Sequence, residues 1–156
     1  MTDSVRHLIL NKIVTTFEAV TTPATTPDAF FSKIELGPLS EADHRKRYVV
    51  GVVPGTEREK FLFPYIECML TVNVEFRITV NRGDDSPGDV AETVLTLVKQ
   101  TIMANRTWDS LALDTKIAGS EIDLQTYMDN SVVGLCVCEV QFRHSHLDPT
   151  LPGPDV

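Results

Sequence analysis

Four side chains near the C-terminus carry the atoms of a zinc site: Cys136, Cys138, His144 and His146. Structural zinc sites converge thiolates and imidazoles from pairs spaced about two to four residues apart on turns. Here the Cys-x-Cys lies inside the apolar run VVGLCVCEV, and a strand sends residues two apart to the same face. Both thiols are therefore expected side by side in a core, as small hydrophobic groups. A nucleophile pair of Cys68 with His7 or His44 has suitable residue types but lacks a nucleophile turn or an oxyanion-binding glycine loop. Asp84 and Asp85 beside Arg82 suit a cation, yet acidic residues just before a helix more often serve its positive end. No glycine-rich phosphate cradle occurs. The expectation is a protein with no catalytic set, no metal and no cofactor.

The chain has 156 residues, 42% apolar and 23% charged, which suits one globular domain with a core of its own. We expect that domain over residues 1–147, with a flexible C-terminal arm over 148–156. A net charge of −8 opposes general affinity for nucleic acid, since phosphate neutralisation needs clustered Lys and Arg. An anionic wall would still let DNA pass without sticking. The opening MTDSVRHLILNKIVTTF has only a short apolar run and is not read as a signal peptide. No stretch approaches the roughly 20 apolar residues of a membrane helix. Three cysteines in apolar runs fit reduced, buried thiols in a cytosol.

The elements that position these residues centre on Leu70–Asn81, LTVNVEFRITVN, with apolar side chains at every even position. A period of two describes a long strand with one greasy and one wet face. Its expected partner is Val132–Arg143, apolar at Val132, Cys136, Cys138, Val140 and Phe142, and covered on both faces in its first half. Val5, Leu8, Ile9, Ile13, Phe17 and Val20 predict a first helix capped by Asp3 or Ser4. Ser86-Pro87-Gly88-Asp89 announces a second, with Ala91, Val94, Leu95, Val98, Ile102 and Met103 inward, ending near Asn105. Phe30–Leu36 reads as a short strand with Phe30, Ser32, Ile34 and Leu36 on one face. The charged LSEADHRKR that follows reads as a solvated loop, and Arg82-Gly83-Asp84 as a turn. Tyr48–Val53 is a strand ending at Pro54-Gly55, TEREK is the hairpin tip, and Phe61–Tyr65 starts the return. Trp108 reads as a core plug, Gly119 as a break, and Ile122–Tyr127 as a further strand. The fold class is α+β: a mainly antiparallel sheet, two amphipathic helices on one face, and a long hairpin.

This order of elements resembles the tail terminator and tail-completion (neck) proteins of long-tailed bacteriophages. The resemblance is carried by VNVEFRITV at 72–80, VAETVLTLVKQTIMAN at 90–105, TWDSLALDTKIAG at 107–119 and VCEVQFRHSHLDP at 137–149. It implies a virion structural protein, assembled in the host cytoplasm. Such a protein forms a ring, commonly a hexamer, that caps the tail tube, stops its growth and offers a surface for joining the head. Implied partners are further copies of the chain, the tail tube protein and a head-completion protein, with DNA passing through unbound and no membrane. The candidate subunit-interface or lumen residues are then Glu75 and Arg77 on the wet face, with Arg58, Glu59, Asp84, Asp85 and Arg143. Two other readings stay open: a head-completion or neck connector, and a cytosolic ligand-binding α+β domain with its pocket near Trp108.

Overall fold

Alternation along the central strand places Cys68, Leu70, Val72, Val74, Phe76 and Ile78 fully out of solvent on one face. The computed structural model describes residues 3–21, 29–39, 47–79, 86–123 and 131–153. Their elements are α1 (Val5–Glu18), β1 (Lys33–Leu36), β2 (Tyr48–Leu62), β3 (Tyr65–Thr79), α2 (Pro87–Ala104), β4 (Asp114–Asp123) and β5 (Ser131–Ser145). The strands form a sheet of order β1-β2-β3-β5-β4. Only the β1–β2 pair is parallel; the other three pairs are antiparallel. The α+β class, the central pairing of β3 with β5 and the long hairpin are as expected.

Both helices lie on the face that carries Phe76, α1 against β1 and β2, α2 against β5 and β4. Ser4 caps α1, its hydroxyl accepting from the His7 N–H at 3.1 Å. Ser86 caps α2 with Pro87 in the first turn, and the Ser86 hydroxyl donates to the Asp89 carboxylate at 2.7 Å. Two inward assignments are corrected. Met103 is 62% exposed and Thr101 is buried in its place, because the helical period carries the α2 stripe from Val94 through Val98 to Thr101 and Ile102. Likewise Leu8 is exposed and Leu10 is buried on α1.

The largest departure lies in β2. It does not end at Pro54-Gly55 but continues to Leu62, and the chain turns at Phe63-Pro64. Pro54 pairs with Val72 and Glu57 with Leu70, so three steps on β2 match two on β3. This bulge inserts one residue and reverses which parity faces the helices. Val50 and Val52 point to the core before it, and Glu57, Glu59 and Phe61 share that side after it.

Other strands shift as well. β1 begins at Lys33; Phe31 is the buried aromatic, edge-on to Phe17 at 5.9 Å, while Phe30 stacks on Tyr48 at 4.4 Å. β4 precedes the expected strand, and Gly119 sits inside it beside an irregularity between Ile117 and Gly119. Residues 124–127 lie outside the described part, as do 40–46 and 80–85. Over its described part the expected arm is docked, not free. The Val5 N–H donates to the Pro149 carbonyl at 3.0 Å and the Ser145 N–H to the Leu151 carbonyl at 2.8 Å. A bridge between His144 and Pro152 extends this pairing along β5 beyond the end of β4.

Candidate functional site

The face of the sheet opposite the helices is built from odd-numbered residues of β3 and β5. Glu75 pairs with Gly51 and Leu135, and Arg77 with Val49 and Val133, so both predicted residues stand on this reverse face. Arg58, opposite Met69, and Arg143, opposite Glu67, join them. Glu59 does not: the bulge turns it to the helix side, opposite Cys68. Asp84 and Asp85 lie outside the described residues.

Cross-strand pairs tie the reverse face together. Glu67 accepts from Arg143 at 3.3 Å and from the Gln141 amide at 3.0 Å, and the Arg143 guanidinium lies 4.4 Å over the Tyr65 ring. Glu139 on β5 meets Lys116 of β4 at 3.3 Å and Arg58 of β2 at 4.0 Å, spanning the full width from β2 to β4. Pairs this exposed add about 0–1 kcal/mol each, so they order the surface more than they stabilise it. Beside them run Val133, Leu135 and Val137, half-buried and not enclosed as expected for that half of β5. The reverse face is closed at one corner. Leu39 and the Gly37 carbonyl lie against Gly51, where an added Cβ would meet that oxygen at 2.7 Å.

At one end of the sheet the β2–β3 hairpin carries exposed apolar groups. Phe61 is 63% and Phe63 74% exposed, and Leu147, two residues past the end of β5, is 82% exposed. His146 joins this tip to β5: its ring and Phe63 are 5.1 Å apart, and its backbone N–H donates to the Pro64 carbonyl at 3.3 Å. The sequence reading missed this cluster because it placed the turn several residues early.

The chemistry-bearing residues separate. Cys136 and Cys138 are buried beneath the helices, as expected, and burial raises both thiols, Cys138 to about 12. His7 sits on the exposed side of α1 and contacts Asp3 at 3.1 Å, whereas Cys68 is fully buried; His44 lies outside the described residues. Burial, then the nearby carboxylates of Glu57, Glu59 and Glu67, push the Cys68 thiol up to about 12. A thiol so protonated is a poor nucleophile at neutral pH. Trp108 is 1% exposed; its indole N–H donates to the Thr115 hydroxyl at 2.9 Å, which donates to the Arg106 carbonyl at 2.7 Å. Arg106 grips Asp114 through two hydrogen bonds of 2.8 Å, and these bonds hold that carboxyl below its usual range.

No protein-family model matches the chain, and no curated protein matches it. No helix among the described residues is long and apolar enough to cross a membrane.

Proposed function

We propose that the protein is a structural virion subunit of the tail-terminator type, assembling into a ring on the last ring of a tail tube. The observation that carries this reading is the inequality of the two sheet faces. Both helices cover one, while the other presents a row of cross-strand ion pairs beside the half-buried strip of Val133, Leu135 and Val137. Complementary charges on like subunits set register and suppress wrong contacts more than they add affinity. Glu75 and Arg77, of opposite sign on neighbouring same-face positions of β3, suit that role. The exposed hairpin tip is an apolar knob suited to an axial neighbour such as the tube protein.

The acidic balance of −8 suits a ring through which DNA slides without binding. A ligand-binding domain with a pocket at Trp108 is disfavoured by the close packing and satisfied N–H of that side chain. The test is assembly without the protein, viewed by electron microscopy. Overlong, headless tails are expected; tails of normal length would overturn termination.

A further inference from the structure

We propose that Glu59, Cys68 and His144, with Glu57 beside them, bind a thiophilic divalent cation of the zinc class at the root of the β2–β3 hairpin. This inference does not depend on the ring reading. One carboxylate oxygen, the thiol sulfur and one imidazole nitrogen of Glu59, Cys68 and His144 all lie within 4.8 Å of one another. A tetrahedral zinc ion with bonds of about 2.0–2.3 Å holds its ligands roughly 3.5 Å apart, so small rotations, chiefly of the exposed Glu59, close the set.

The scaffold fixes the other two donors. Cys68 and His144 stand on adjacent strands of the hydrogen-bonded sheet, and Glu59 is directly opposite Cys68 on the third. The His144 Nδ1 lies 2.8 Å from the Ser145 carbonyl. A carbonyl only accepts, so Nδ1 carries the proton and Nε2 of the neutral ring keeps the lone pair a metal requires. An imidazole oriented by a backbone carbonyl through its other nitrogen is the usual outer support of a metal-bound histidine.

Charge points the same way. Glu57 is raised by burial and by a hydrogen bond with Glu59, and it also contacts Arg6 of α1 at 3.5 Å. Glu57, Glu59, Cys68 and His144 thus share the helix side of the hairpin root, where Arg6 of α1 lies against Glu57, while Glu67 on the reverse face is paired with Arg143. A divalent ion would replace the Cys68 proton, releasing it to solvent with no change of oxidation state. Sulfur, nitrogen and oxygen donors together favour zinc or cobalt over magnesium or calcium.

The experiment is titration of metal-stripped, reduced full-length protein with Co2+, then displacement by Zn2+. A thiolate-to-cobalt charge-transfer band that saturates at one equivalent and is removed by Zn2+ is expected. Cys68→Ser should abolish the band and His144→Gln should weaken Co2+ binding at least about tenfold, while Cys136→Ala keeps both. Absence of the band in the wild-type protein overturns the site irrespective of how any variant folds. Persistence of the band in Cys68→Ser also overturns it.

Discussion

At position 134 the chain has room only for hydrogen. An added Cβ would fall inside the Phe76 ring, which crosses from β3 over the Gly134 backbone on the core face. Gly134→Ala should therefore destabilise by about 1–3 kcal/mol, read as a lower urea midpoint at unchanged slope. Removing the ring itself, Phe76→Ala, should cost about 3–5 kcal/mol, since Phe76 is fully buried. The Thr115 hydroxyl is equally constrained, accepting from Trp108 and donating to the Arg106 carbonyl. Thr115→Val strands a buried indole N–H and should cost about 1–3 kcal/mol, with altered Trp108 fluorescence in the folded protein.

Elements with an unbroken period were legible: β3 and β5 by alternation, and both helices by stripe and cap. The end of β2 was not, because a bulge shifts parity where Pro54-Gly55 looks like a turn. β4 was missed because it is an edge strand with little apolar signal, burying only Thr115. The candidate interface was partly legible, since Glu75, Arg77, Arg58 and Arg143 do share a face. Glu59 was misplaced by the same bulge. The proximity of His144 to Cys68 was hidden because only strand register joins residues so far apart in sequence. Two predictions belong to this scale. Ending the chain after Leu147 removes the hydrogen bonds to Pro149 and Leu151 and should cost about 1–3 kcal/mol in denaturant unfolding. Substituting Phe61 and Phe63 with Ser at the exposed tip should change stability by less than about 0.5 kcal/mol per site, yet weaken co-sedimentation with tube protein.

For the whole molecule, the thiols set the alkaline limit. The raised folded pKa values of Cys68 and Cys138, about 12 against 9.0 ordinarily, mean that the unfolded chain loses these protons first. Stability is therefore full below pH 9 and declines as pH rises from 9 towards 12. Denaturant midpoints across that range should fall in the metal-free protein, and Cys138→Ala should flatten the decline. The central claim concerns assembly: an α+β subunit whose sheet face opposite α1 and α2 meets its neighbours. Its most direct test is the solution mass, by light scattering, over a range of concentrations with and without tube protein. A closed ring of identical subunits is expected, lost on reversing charge with Glu75→Lys and Arg58→Glu. A mass of 17.3 kDa under every condition, the monomer alone, would contradict it.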